Sequence, residues 1–217
     1  MSERPAAADP SHLVIACHPE PHSFTMAVAN TYCEAVEACG HRAEFRDLYR
    51  MQFDPVLKAS ERPGAPGFSV APDVAAELAL LADAAVIVLV YPIWFGTPPA
   101  MLKGYVERVL GSGMTYRAIR GGEGTPLVAG KQLLSITSSG TTSQWLEEKG
   151  AWLSLRNVFD HYLRDAFALA SDEHLHFSAI VEGLAERFVN ENLEDVRQQA
   201  RKTCSRVRRR YPTHRLE

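Results

Sequence analysis

The chain has 217 residues, 46% hydrophobic and 23% charged. These are the proportions of one soluble globular domain and not of a disordered or collagen-like chain. Its 23 Lys and Arg against 26 Asp and Glu leave a net charge of -3, which argues against a dedicated nucleic-acid binder with a net basic footprint.

In chain order, residues 1–11 have no apolar core, so they read as a disordered leader and not a secretory signal. Residues 12–17 are a short apolar run that suits a parallel strand buried on both faces. A polar loop from His18 to Ser23 follows. Residues 24–39 then show helical spacing, with Ser23 placed as N-cap and Gly40 as the C-terminal stop. Residues 43–48 form a second strand, more polar and so expected nearer an edge. Residues 49–70 carry Pro55, Pro63, Gly64, Pro66 and Gly67 and read as a surface excursion. Residues 72–82 are a short helix with proline in its first turn, and 84–91 are a strongly apolar third strand. The longest apolar run, 84–95, contains Pro92 and is shorter than the ~20 residues a membrane helix needs, so no integral membrane segment is expected.

Residues 92–98 form an aromatic loop, 99–110 a helix, and 111–130 a second, glycine-rich excursion. Residues 132–137 are the fourth strand and 138–143 its exit loop. One long helix is expected over 143–163. The fifth strand lies within 167–180, in one piece or in two around Ser171 and Asp172. Residues 184–210 are mostly helical, followed by a tail at 211–217. The basic residues Arg197, Arg201, Lys202, Arg206, Arg208, Arg209 and Arg210 read as a solvated helix face. Cys17, Cys33, Cys39 and Cys204 form neither a C-x-x-C pair nor a zinc spacing, and read as reduced thiols of a cytoplasmic protein.

Strands alternating with helices over 12–210 predict a single α/β domain. It is a doubly wound five-stranded parallel sheet of order 2-1-3-4-5 with helices on both faces. Ligands of such sheets bind beyond the carboxyl ends of the strands, at the switch point between strands one and three. The loops at 18–23, 92–98 and 138–143 converge there.

Each loop has its own chemistry. The first ends at a helix start, where unpaired N–H groups and the helix dipole attract a phosphate. Ser23, Thr25, His18 and His22 add donors, although the same residues also suit a plain capped helix with exposed histidines. No third ligand stands beside His18 and His22, so no metal is expected. The second loop sets Trp94 and Phe95 among prolines, which suits a flat apolar ligand site or a packed interface. The third, Thr137 to Thr142, is small and polar and lets backbone amides approach a ligand. The Walker phosphate loop, the G-x-G-x-x-G fingerprint after strand one and the G-x-S-x-G elbow are all missing. A phosphate site, aromatic walls and a loop of backbone donors together describe a flavin pocket.

Four motifs now carry a resemblance. They are His18-x-x-Pro21-x-Ser23-Phe24; Asp47-Leu48-Tyr49; Tyr91-Pro92-Ile93-Trp94-Phe95-Gly96 with the helix from Pro99 to Arg108; and Leu134 to Gly140. In this order, over roughly residues 13–145, they resemble the NAD(P)H:quinone oxidoreductase family of flavodoxin-like fold. The resemblance implies tightly bound FMN or FAD, NADH or NADPH as electron donor, and two-electron ping-pong reduction of quinones or similar flat acceptors. It also implies a homodimer whose second subunit finishes each site. It assigns His18, Ser23, Phe24 and Thr25 to the flavin phosphate, and Pro92, Ile93, Trp94 and Phe95 to the isoalloxazine edge. Thr137, Ser138, Ser139 and Gly140 fall to the pyrimidine side, where the Ser139 and Gly140 amides are expected to stabilise negative charge. Azo or nitro reduction differs only in the acceptor. Some relatives instead serve as regulatory flavin-binding subunits of potassium efflux systems. Two departures matter. Trp145 stands where mammalian relatives place the Tyr of a proton relay, with no His before His161. Ser139-Gly140 replaces a glycine pair.

Overall fold

Leu13, Val14, Ile15 and Ala16 are fully buried, as are Ile87, Val88 and Leu89. Strands that hide both faces must be covered on both sides. The computed structural model describes residues 9–120 and 125–210, so most of the expected leader and the whole tail lie outside the described residues. The strands are β1 (Ser11–Ala16), β2 (Arg42–Asp47), β3 (Ala84–Pro92), β4 (Gln132–Ser138) and β5 (Ser171–Phe177). They form one parallel sheet in the order β2-β1-β3-β4-β5. The fold class is therefore as expected, with the polar β2 at one edge.

The helices are α1 (Phe24–Ala38), α2 (Pro72–Asp83), α3 (Ala100–Tyr105), α4 (Tyr116–Ile119), α5 (Ser143–Glu148), α6 (Ala151–Leu155), α7 (Tyr162–Ala166) and α8 (Glu186–Arg210). Met26, Tyr32 and Val36 of α1 and Val196 and Val207 of α8 cover one face of the sheet. Leu81 of α2, Leu102 and Tyr105 of α3, and Phe159 and Leu163 cover the other. Ser23 caps α1, its Oγ accepting from the Met26 amide at 3.3 Å, and Gly40 ends it at φ +74°.

Residues 143–163 and the end of β3 differ from expectation, and the fifth strand takes one of its two expected forms. The helix expected over 143–163 is broken at Gly150, which adopts φ +64° at the start of α6, a conformation that ends the preceding helix cheaply only in glycine. A π-helical turn, Arg156–His161, then joins α6 to α7 and buries Phe159 and Asp160. β3 runs one residue further than expected, so Pro92 is paired with Ser138 and belongs to the strand. β5 is one piece, beginning at Ser171. The basic face of α8 is not simply solvated: Lys202 and Arg206 reach Glu173, and Arg197 and Arg201 reach Glu194.

The excursion over 49–70 is pinned from below by Arg108, only 3% exposed. Its guanidinium donates to Glu61 Oε1 at 2.6 Å, to the Asp54 carbonyl at 2.6 Å and to Asp73 Oδ2 at 2.7 Å. Gly104 of α3 brings the same loop against the helix. A Cβ built there lies 2.3 Å from the Pro55 carbonyl oxygen. Gly104→Ala should therefore lower the urea midpoint by the equivalent of ~1–3 kcal/mol, the cost of overpacking. An unchanged midpoint would show that the loop moves freely.

Arg108 also sets a pH dependence. Its hydrogen bonds hold the Glu61 and Asp73 carboxyls below the usual carboxylate range. A carboxyl depressed in the folded state stabilises it above the unfolded pKa, near ~4, and loses that contribution as pH falls through the lower folded value. Stability should decline below about pH 4, and Arg108→Met should flatten that part of the profile while costing ~3–5 kcal/mol at neutral pH for the stranded Glu61 charge. Urea titrations of both proteins at several pH values measure both effects.

Candidate active site

The parallel register aligns the strand ends. Ala16 pairs with Val90, and Pro92 with Ser138. The exits of β1, β3 and β4 therefore open on one edge of the sheet, and the expected convergence of three loops is present.

Loop one is held by its own side chains. His18 Nδ1 accepts from the Glu20 amide at 3.0 Å, Glu20 Oε1 accepts from the His22 amide at 3.2 Å, and the Ser23 amide donates to the Glu20 carbonyl at 3.2 Å. The same His18 Nδ1 lies 3.2 Å from the Glu20 carbonyl oxygen. The Phe24 and Thr25 amides open α1, where an α-helix has no internal acceptor for them. The Phe24 ring stands edge-on to Phe177 at 5.5 Å, and Thr25 is 4% exposed. A cleft of about 490 Å³ lies beside this loop, lined by His18, His22, Asp47, Tyr49 and Arg50. Asp47 Oδ1 accepts from the Tyr49 and Arg50 amides at 3.1 Å each. The Asp-Leu-Tyr motif is thus a side-chain-capped turn that places a tyrosine and an arginine in the cleft beside loop one. Arg50 was legible only by its position next to that motif.

Loop two is a tight hairpin. Trp94 and Thr97 exchange N–H···O bonds at 3.0 Å in both directions, with Phe95 at φ +51° and Gly96 at φ +81° between them. Two positive-φ residues make the primed turn that matches strand twist. A bulky residue there costs of order 1–3 kcal/mol. The Ile93 amide donates to the Ser138 carbonyl at 2.7 Å, tying the loop to β4. Trp94 stands 5.6 Å from the His18 ring and is 38% exposed, while Phe95 is wholly exposed. The Trp94 and Phe95 rings are therefore not core packing within this chain, whereas Ile93 packs against the core.

Loop three departs most from expectation. The Ser139 amide donates to the Phe177 carbonyl at 2.9 Å and is not offered to a ligand. The Gly140 amide has no partner among the described residues, and Gly140 itself is exposed. The Thr137 hydroxyl, expected at the pyrimidine side, lies 2.7 Å from His174 Nε2 and 2.8 Å from His176 Nδ1. Ser139 Oγ lies 3.2 Å from His176 Nε2. Ser138 is 7% exposed and packs with Phe24, Thr25 and Tyr91 where α1 meets the strand ends, leaving no space that a water molecule could fill. The two histidines were not singled out from the sequence. The available signal was their i, i+2 spacing in a strand, which puts both on one face.

No metal was expected. Among the described residues, the His12, His41 and Cys204 ligand atoms lie within 4.8 Å of one another. His12 already bonds Tyr32 Oη and His41 Nδ1, each at 3.0 Å. Ser11 and Arg42, the first residues of β1 and β2, pair in register, so this group beside them lies at the opposite end of the sheet from the three loops.

Residues 10–204 match the model of a family described as having a flavodoxin-like fold. An uncharacterised NAD(P)H oxidoreductase of Haemophilus influenzae is 35% identical over 148 residues, 68% of this chain and 73% of that protein. NAD(P)H dehydrogenase [quinone] 1 of Rattus norvegicus is 32% identical over 151 residues, 61% of this chain and 55% of that protein. Among solved structures, an NAD(P)H:quinone oxidoreductase from Methanothermobacter marburgensis superposes with a TM-score of 0.76 at 26% identity, over 90% of this chain and 96% of that one. With its strand order, its loop convergence and a match over nearly its whole length, the chain belongs to the flavodoxin-like fold family.

Proposed function

We propose that this chain is a flavin-dependent NAD(P)H:quinone oxidoreductase that reduces quinones or similar flat acceptors by two electrons. The observation that carries the reading is the pairing of unspent amides at the start of α1 with the uncovered indole of Trp94 across one sheet edge. The names of the relatives support the same chemistry. When bound, FMN or FAD would supply the hydride carrier between the nicotinamide donor and the acceptor.

The protein's own residues do the rest. The Phe24 and Thr25 amides and the α1 dipole balance the phosphate charge, with Ser23, His18 and Arg50 around it. Pro92, Ile93, Trp94 and Phe95 flank the flat ring. The Gly140 amide faces its electron-rich side in place of the expected pair, because Ser139 is bonded elsewhere. Donor and acceptor use one slot in turn.

Trp145, Leu153, Val158 and Tyr162 are 49–68% exposed. This apolar surface on α5–α7 supports a homodimer in which a second copy covers it and completes the slot. Unpaired Cys17, Cys33, Cys39 and Cys204 suit a reducing, cytoplasmic setting. Among the described residues, no helix is long and apolar enough to cross a membrane.

Ser23→Asp tests the phosphate position. Asp is as good an N-cap as Ser, so α1 stays capped while a carboxylate meets the phosphate. The variant should fold normally and purify without flavin; a fully yellow variant would remove the phosphate from this loop. The shared slot has a kinetic signature: double-reciprocal plots at several quinone concentrations should be parallel. Intersecting lines would mean that donor and acceptor bind together.

A further inference from the structure

We propose that Asp160, His174, Thr137, His176 and Ser139 form a proton wire that opens at loop three and delivers a proton through Ser139 to the bound acceptor. The proposal rests on the reading of this edge as a quinone-reducing site. Two-electron reduction of a quinone adds one hydride and one proton, so each turnover consumes a proton that some group must supply. The mammalian-type tyrosine position is Trp145, and no histidine follows it before His161. The structure brings a different set to the same loop, from β5 and from the π-helical turn.

The hydrogen bonds run in one unbroken series. Asp160 Oδ2 is 2.5 Å from His174 Nδ1, and both side chains are fully buried. His174 Nε2 is 2.7 Å from Thr137 Oγ1, which is 2.8 Å from His176 Nδ1. His176 Nε2 is 3.2 Å from Ser139 Oγ, which lies 3.0 Å from the Thr141 carbonyl. Trp152 packs against both imidazoles at 4.7 and 5.0 Å and shields them from water.

Donor and acceptor rules orient this series. A carboxylate only accepts, so His174 Nδ1 carries the hydrogen toward Asp160. In a neutral ring His174 Nε2 then accepts, the Thr137 hydroxyl donates to it, and His176 Nδ1–H donates to Thr137. His176 Nε2 is left to accept from Ser139. Every hydrogen points inward. Adding one proton to His174 Nε2 reverses the outer bonds: Nε2–H donates to Thr137, Thr137 to His176 Nδ1, His176 Nε2–H to Ser139, and Ser139 to the Thr141 carbonyl of loop three, whose place a bound acceptor would take. In delivery, the Ser139 O–H bond breaks as the acceptor O–H bond forms. Each inner group hands on its hydrogen in turn, and His174 ends neutral. Water reloads the wire by the reverse path.

The charged state has one place to rest. His174 faces Asp160 and, beyond it, Arg156, whose Nε lies 3.0 Å from Asp160 Oδ2. Ser135 Oγ donates to Asp160 Oδ1 at 2.8 Å. Of the other titratable groups around the pair, His176 lies 6.5 Å from His174 between ring centres, and the buried Tyr91 interacts with Asp160. Burial, and next the neighbouring His174, lower His176 to about 4. It therefore passes a proton without retaining it, and the charge settles on His174 beside the carboxylate.

The test uses the purified protein and Thr137→Val, which is nearly isosteric and cuts the series between the two histidines. Histidine 15N spectra over a pH series should show His176 exchanging its Nδ1–H tautomer for Nε2–H as His174 gains its second proton. In Thr137→Val, His174 should still gain that proton while His176 keeps one tautomer. A wild-type His176 that ignores the charging of His174, or one that follows it equally in the variant, overturns the wire. In stopped flow, Thr137→Val should slow acceptor reduction about 100-fold more than reduction by the nicotinamide donor, and alter the solvent deuterium effect on the acceptor step alone. Equal losses in both half-reactions, or none, overturn the role in proton delivery. A wild-type protein that retains no flavin would instead sink the proposed function, while the tautomer spectra would still decide the wire.

Discussion

The whole arrangement depends on three strands with no exposed face. β1, β3 and β4 are buried along their length, with only Ala85 half-buried, so helices must lie on both sides of them. Parallel strands in turn need crossover connections, which in sheets of this kind are right-handed. Each crossover starts from the same edge, and that edge receives every strand-to-helix loop. The site is thus a consequence of how apolar strands are covered. Its chemistry comes from what the loops carry.

Two of the buried polar systems in this apolar frame do different work. Arg108 is surrounded by Glu61, Asp73 and the Asp54 carbonyl, and so fastens a long irregular loop to the π-helical turn Val106–Leu110 that continues α3. Replacing such a group by apolar packing is often neutral, whereas removing one partner is costly. The Asp160–His174–Thr137–His176 system is also enclosed, but it ends at loop three. Its members come from the π-helical turn, β4 and β5. A π-helical turn inserts a residue into the helical repeat, and here it buries Asp160 where a histidine of β5 meets it.

Loop two shows the opposite economy. The hairpin holds Phe95 at positive φ with its ring fully exposed, an unfavourable choice for a free surface. The same turn keeps Trp94 beside His18 and ties Ile93 to β4. Local strain of this kind persists where surrounding bonds over-determine it, and here both the strain and the uncovered rings lie at the site edge.

Much of the fold was legible because it follows from short-range pattern. The run of buried residues in β3, the capping of α1 by Ser23 and the stop at Gly40 are properties of neighbouring residues, and they sufficed to order the strands. The three loops were legible for the same reason. The breaks were harder to read: residues 143–163 keep a helical pattern through Gly150, and only packing against the sheet decides that the chain turns there and winds more loosely over Arg156–His161. The partners of Arg108, of Thr137 and of the Ser139 amide lie 35 to 54, 37 to 39 and 38 residues away in sequence. No periodicity encodes such pairs, because they arise only when parallel strands come into register. The sequence by itself determined the elements, their order and the edge where the three loops meet. The tertiary structure decided which donors at that edge are already spent and which histidines reach it, because hydrogen bonds between distant segments exist only after the sheet has closed.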